Sequence, residues 1–193
     1  KSLKNYEKKI FDENTKKNKK QILQKSSQIF NSDNGMFSGD KNAKHTIVEF
    51  FDYNCSYCKK AHNDLKKVLN NVPNVKVVYK NFPILSEQSM KLAKIALLIS
   101  MKSNEKFNIF HDAVMKKKGL LSEDDLSNVL KKINLNLSNL ERELDNKQIS
   151  QNIFSDTQLA KDLNLQGTPA FIINNDLFFG YIDHDEIVKI LNN

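Results

Sequence analysis

Cys55 and Cys58 are the only two cysteines of the chain, set three residues apart in Asn54-Cys55-Ser56-Tyr57-Cys58. They follow Thr46–Asp52 (TIVEFFD), a β-branched and aromatic run that reads as a buried strand. The pair is therefore expected at the end of that strand and in the first turn of the next helix. The unpaired N–H groups and positive dipole end of a helix N-terminus favour a thiolate, so Cys55 should ionise below the ~8.5 of a free thiol. Cys58, one turn further in, should be less exposed yet near enough to close a disulfide. Cys55 is then the attacking or attacked sulfur and Cys58 the resolving one.

Metal binding is the competing use of these thiols. Cys55, Cys58 and His62 share one helical face, and paired thiolates suit zinc or Cu(I). A closed tetrahedral site needs a fourth ligand, for which only the scattered His45, His111 and His184 are candidates. His62 is otherwise expected to be an exposed helical residue. No metal is assigned.

Two further residues have types suited to redox work. Glu49 lies in the middle of the strand run, where burial would raise its pKa and let it pass protons to and from the sulfurs. The other reading is an outward-facing acid on an edge strand. Gly167-Thr168-Pro169 precedes a strand, a place that suits either an ordinary trans turn or a cis proline. An upstream C-x-x-C in a βαβ setting favours the latter, as in a thioredoxin-like redox centre.

The elements that must position these groups follow from periodicity and breakers. Residues 1–30 read as a helical arm, free of Pro and Gly, with apolar clusters Leu3, Tyr6, Ile10 and Ile22, Ile29 separated by the wholly polar DENTKKNKKQ. Residues 31–44 are rich in turn signals and read as a linker, so the main domain is expected over 45–193. It should open with the first strand, a helix from about Cys55 to Asn71 and a strand Val75–Lys80. A helical insertion at about 86–164 comes next, its last helix near Ser150–Leu163. Strands Ala170–Ile173 and Leu177–Tyr181 and a closing helix Asp183–Leu191 complete an α/β order of βαβ, insertion, ββα.

Composition removes other classes. The formal charge is +7, but all except Arg142 of the 30 basic residues are lysines, a poor set for planar base and phosphate readout. Most of the excess lies in residues 1–36, leaving the main body nearly neutral, so no nucleic-acid partner is expected. No stretch approaches the roughly 20 apolar residues of a membrane span. The chain opens on Lys1 without an apolar leader core, which suits a mature product whose leader has been removed.

Three blocks together carry a family resemblance. They are Phe50-Phe51-Asp52-Tyr53-Asn54-Cys55-Ser56-Tyr57-Cys58-Lys59-Lys60-Ala61-His62, Asn81-Phe82-Pro83-Ile84-Leu85 and Gly167-Thr168-Pro169-Ala170-Phe171-Ile172-Ile173. In this order they resemble the DsbA-like branch of the thioredoxin superfamily, nearest to bacterial ScsC/Com1-type proteins, from about His45 to Leu191.

The resemblance implies a thioredoxin-like fold with an inserted helical domain, and a periplasmic location. It implies a thiol–disulfide oxidoreductase that needs no cofactor beyond the Cys55–Cys58 pair. Cys55 would be the nucleophile, Cys58 its partner, Glu49 the buried acid, Ser56 and Tyr57 the dipeptide that tunes redox poise, and Thr168 and Pro169 the client-facing cis-proline segment. Strongly oxidising members commonly carry Pro-His between the cysteines and Val before the proline. Ser-Tyr and Thr here lean toward a disulfide isomerase, with a monomeric dithiol oxidase as the alternative. Clients would be misfolded or reduced proteins, and a membrane redox partner would reset the pair. Some ScsC-type proteins trimerise through an N-terminal stalk with a flexible linker, the role the resemblance implies for residues 1–30 and 31–44.

Overall fold

The strand His45–Phe51 (β2) occupies the middle of a five-stranded sheet, and its last five residues are all buried. A run so apolar is stable only with both faces covered. The computed structural model describes residues 2–192. In it β2 runs parallel to Val75–Asn81 (β3), with Glu49 opposite Tyr79, and antiparallel to Ala170–Ile173 (β4), with Glu49 opposite Phe171. Outside these lie Phe37–Gly39 (β1), antiparallel to β3, and Asp176–Phe179 (β5), antiparallel to β4.

The period-2 alternation of β2 divides the core. Ile47 and Phe51 face one layer, packed with Leu65 and Val68 of Ser56–Asn71 (α3) and with the helical insertion. Val48 and Phe50 face the other, with Leu159, Leu163 and Ile172. Five helices join β3 to β4: Glu87–Lys102 (α4), Asn104–Lys116 (α5), Glu123–Lys132 (α6), Leu137–Glu141 (α7) and Lys147–Asp162 (α8). Small polar residues start them, the clearest being Ser122 and Asp125, which form a reciprocal capping box on α6. Asn146 caps α8 by accepting from the Gln148 N–H at 2.8 Å, so this helix begins a turn before the expected Ser150. His184–Leu191 closes the fold as a helix (α9). Among the described residues no helix is long and apolar enough to cross a membrane.

The N-terminal segment differs from expectation. Ser2–Gln24 (α1) is helical and is followed by a short helix Ser26–Ile29 (α2), but Ile22 and Ile29 are wholly buried in the second core layer. Lys19 pairs with Asp176 at 3.0 Å and Lys25 with Asp162 at 2.7 Å. The end of the arm thus belongs to the domain, because Ile22 near the end of α1 and Ile29 at the end of α2 both join the core layer of Val48 and Phe50. Its early apolar residues, Leu3, Tyr6, Ile10 and Phe11, stay exposed, as does Leu23 beside the buried Ile22.

Residues 31–44, expected as a linker, contribute β1 to the sheet. The Asn104 side-chain amide donates to the carbonyls of Gly35 (2.7 Å) and Phe37 (2.8 Å), holding this segment against α5. Gly35 has φ +81°, and a Cβ there would stand 2.2 Å from the Ser100 carbonyl oxygen, so the close approach admits only glycine.

Candidate active site

Cys55 is the N-cap of α3, in extended backbone geometry, and its sulfur accepts the backbone N–H of Cys58 at 3.3 Å. Its thiol also reaches the Thr168 carbonyl, 3.3 Å away. The Thr168–Pro169 peptide bond is cis, and Pro169 leads directly into β4, whose pairing with β2 brings this loop beside the α3 N-terminus. Both cysteines are free thiols; Cys55 is 7 % exposed and Cys58 fully buried. Ser56 and Tyr57 lie exposed in the first turn of α3.

Electrostatics separates the two sulfurs. Hydrogen bonding from the Cys58 thiol, then from Thr168 and from the backbone of Cys58 and Tyr57, outweighs burial and brings the Cys55 pKa down to about 6. Cys58 is pushed far up, first by burial, then by its bond to Cys55 and the nearby charge of Glu49, so it keeps its proton.

Glu49 is fully buried on the central strand, which excludes the edge-strand reading. No donor among the described residues reaches either carboxylate oxygen. Burial, reinforced by the charge of Cys55, holds its pKa well above the ordinary 4.5. The site thus holds an ionisable sulfur, a sulfur that keeps its proton and an acid whose ionisation burial disfavours, within one electrostatic neighbourhood.

Several supporting residues were not singled out from the sequence. Asp52 is buried and accepts the N–H of Asn54 (2.8 Å) on one oxygen and those of Ile84 (2.9 Å) and Leu85 (3.0 Å) on the other. One carboxylate therefore ties the turn before Cys55 to the loop after β3, where Ile84 and Leu85 remain exposed, as does Tyr57. An acid directly after an apolar strand and two residues before an Asn is the sequence signal for such an Asx turn. Tyr53 is buried too, its hydroxyl 2.9 Å from His111 Nδ1 on α5.

His62 is neither exposed nor turned to the thiols. It is 3 % exposed, its Nε2 lies 3.0 Å from Asp112 on α5, and its ring packs edge-on to that of His111 with centroids 5.1 Å apart. A helical wheel places it on the same face as Cys58, but the insertion supplies its partner. Among the described residues no group of three or more His, Cys, Asp or Glu side chains is arranged to hold a metal ion.

A C-x-x-C pair at a helix N-terminus facing a cis-proline loop, on a mixed sheet interrupted by helices, defines a thioredoxin-type redox centre. Residues 46–192 match the family model of the DSBA-like thioredoxin domain, and the chain belongs to that family, the thiol–disulfide oxidoreductases of the DsbA/ScsC type.

Among solved structures, the thiol–disulfide exchange protein alpha-DsbA2 of Wolbachia pipientis is 32% identical with a TM-score of 0.82, covering 91% of this chain and 94% of that one. A linker-deletion variant of Proteus mirabilis ScsC is 25% identical with a TM-score of 0.86, covering 99% of this chain and 88% of the other. Disulfide bond formation protein D of Bacillus subtilis is 26% identical over 167 residues, 79% of this chain and 73% of that protein. A Na(+)/H(+) antiporter of Salinispora arenicola is matched over 136 residues at 24% identity; the chain spans only 21% of its length.

Proposed function

We propose that this protein is a disulfide isomerase of the cell envelope. The observation that carries the reading is the division of labour between the sulfurs, with Cys55 ionised near neutral pH and Cys58 buried and protonated. Isomerisation needs a thiolate that attacks a wrong client disulfide and a second thiol that waits while the client rearranges. Cys55 is that nucleophile. Cys58 closes on it only when the client stalls, with Glu49 taking the Cys58 proton.

Thr168 and Pro169 face the client, whose backbone pairs with this segment as a short added strand. Ser56 and Tyr57 set the redox poise. Clients are misfolded secreted proteins, and a membrane reductase returns the pair to its thiol form. An exported, periplasmic location fits this chemistry, since disulfides persist in oxidising compartments.

The exposed Leu3, Tyr6, Ile10 and Phe11 on α1 support assembly of several chains, as a trimer, through the start of the arm. Several catalytic pairs would then address one client at high effective concentration.

A monomeric dithiol oxidase is the second reading, favoured by the low pKa of Cys55, which makes it a good leaving group in a disulfide. Two assays on the intact chain separate them. Recovery of active ribonuclease from its scrambled form supports the isomerase. Fast oxidation of reduced ribonuclease with no recovery of the scrambled form would establish the oxidase instead.

A further inference from the structure

Two exposed stretches of the insertion are tied by side-chain bonds to the segment that carries the thiols. The Asn54 side-chain amide donates to the Ser86 hydroxyl at 2.8 Å, and Ser86 caps α4, so the residue before Cys55 fixes where that helix begins. On the other side the Lys59 ammonium donates to the carbonyls of Lys117 (2.8 Å) and Gly119 (2.6 Å). Lys117 is the C-cap of α5, and a cation is well placed against the free carbonyls of a helix C-terminus. Lys59 directly follows Cys58, so the catalytic helix itself holds the loop that leads into α6.

Between these two anchored stretches lies a cleft of about 410 Å³, within the roughly 300–1,000 Å³ of ligand sites. It is built from the insertion alone, with no residue from the Thr168–Pro169 segment. Leu92, Leu121 and Leu126 form an apolar floor, and Glu87, Lys91 and Glu123 stand at its rim. The Gln88 side-chain amide donates to the Leu121 carbonyl at 2.7 Å and joins the two walls. Exposed apolar side chains lead in from both sides, Ile84 and Leu85 just before Ser86, and Leu120 just before Leu121.

The rim is acidic in effect. Lys91 is paired with Glu141 at 2.8 Å, and Lys117 with Asp125 at 2.8 Å. Among the described residues Glu87 and Glu123 form no ion pair. Each lies in the first turn of its helix, whose N-terminal dipole is worth about half a charge, so part of each carboxylate's charge remains to face a ligand.

We propose that this cleft is a client subsite, taking an apolar side chain flanked by Lys or Arg from an extended segment whose disulfide Cys55 attacks. The inference rests on the reading of Cys55 as the nucleophile toward protein clients. The cleft is continuous with the catalytic face: from Cys55 through Asn54 and Ser86 to Glu87 is a path of about 15 Å, or roughly five residues of extended chain. Incompletely folded clients expose the apolar side chains that such a floor would cover. Lys59 is then a positioning residue, acting through the Leu120–Leu121 wall it keeps beside the catalytic turn rather than on the client itself.

The test uses the reduced full-length chain and peptides whose single cysteine forms a mixed disulfide with a fluorescent thiol. The peptides carry Leu-Lys, Leu-Glu or Ser-Ser about four to six residues to either side of that cysteine. Thiol release against peptide concentration gives a maximal rate and a half-saturating concentration. The subsite predicts half-saturation by Leu-Lys at about tenfold or more lower concentration than Ser-Ser, the effect of burying one aliphatic side chain. It predicts a further preference of about two- to fivefold for Leu-Lys over Leu-Glu, the scale of exposed ion pairs. Glu87→Gln combined with Glu123→Gln should erase the second preference and keep the first. Lys59→Met should raise the Leu-Lys value toward that of Ser-Ser while the pH profile of Cys55 alkylation stays in place, a split that general loosening of the fold would not give. The peptide series on the wild type decides the subsite even if Lys59→Met folds poorly.

A wild type that attacks all three peptides with one half-saturating concentration overturns the subsite and leaves the Cys55 reading standing. A preference for Leu-Lys over Leu-Glu that survives both glutamine substitutions overturns the assignment of the basic residue to this rim. A folded Lys59→Met with wild-type selectivity overturns the positioning role. A wild type that reacts with glutathione disulfide but with none of the peptides overturns the reading of protein clients, and the subsite with it.

Discussion

The backbone N–H of Cys58 points at the sulfur of Cys55 from 3.3 Å, so one cysteine helps to keep the other ionised. Alkylation of the folded, reduced protein should therefore modify one thiol, with a rate rising through pH about 6, while Cys58 reacts only after unfolding. The folded pKa of Cys55 lies below the unfolded value. Its thiolate therefore stabilises the reduced fold fully above the unfolded thiol value of ~8.5, and this contribution is lost as pH falls to about 6. Melting curves of the reduced protein and of Cys55→Ser across that window measure the difference; parallel curves would contradict it.

Glu49 should cost stability. Its buried carboxyl has no donor, so Glu49→Leu, similar in volume and apolar, should raise the stability by about 1–3 kcal/mol at neutral pH while impairing the resolving step. The folded pKa is raised, so folding disfavours the ionised form, and the wild type should lose stability as pH climbs above the ordinary 4.5. Glu49→Leu should lack that slope in a chemical-denaturation series.

Asp52 should prove a structural anchor. Asp52→Ala deprives three backbone N–H groups of their acceptor, at Asn54, Ile84 and Leu85, and should destabilise the protein by about 2–4 kcal/mol. Hydrogen exchange should accelerate at Ile84 and Leu85 before it does in β2. Uniform protection across that loop would show that other contacts hold it.

The arm should respond in two distinct ways. Ile22→Ala empties a fully buried position and should cost about 2–4 kcal/mol with no change of mass in solution. Tyr6→Ser, on the exposed part of α1, should reduce the mass seen by light scattering without lowering the melting temperature of the isolated protomer. A chain beginning near Phe37 uncovers Val48 and Phe50 and should be unstable, so the arm is better shortened before Asn18 when assembly is tested.

The placement of the cysteine pair and of the proline loop facing it was legible because its signals are local: a β-branched strand, two cysteines a turn apart and a proline at a strand's start. Glu49 was legible as a candidate because an acid inside TIVEFF is either buried or on an edge strand, and the pairing of β2 with both β3 and β4 decides for burial. What stayed hidden depends on distant partners. β1 is three residues long and its Phe37-Ser38-Gly39 sits among turn-forming neighbours, so only the edge of β3 makes it a strand. His62 looked exposed because its own helix cannot reveal that Asp112 and His111 come from α5. His111 appeared only as a scattered ligand candidate, although Phe107, Phe110 and Val114 already placed its helix face in the core.

The sheet order β1-β3-β2-β4-β5 divides the chain in time as well as in space. Residues 37–81 make one half of the sheet and carry both thiols, whereas Thr168, which meets Cys55 across the β2–β4 seam, stands 113 residues later. A chain emerging from the ribosome or a translocation pore presents its cysteines long before the strand that completes their pocket. Pairings so distant in sequence are also the slow ones to form. Until β4 docks, the two sulfurs lack one wall of their site and are as open as any others to premature oxidation, so catalytic identity is among the last properties this fold acquires.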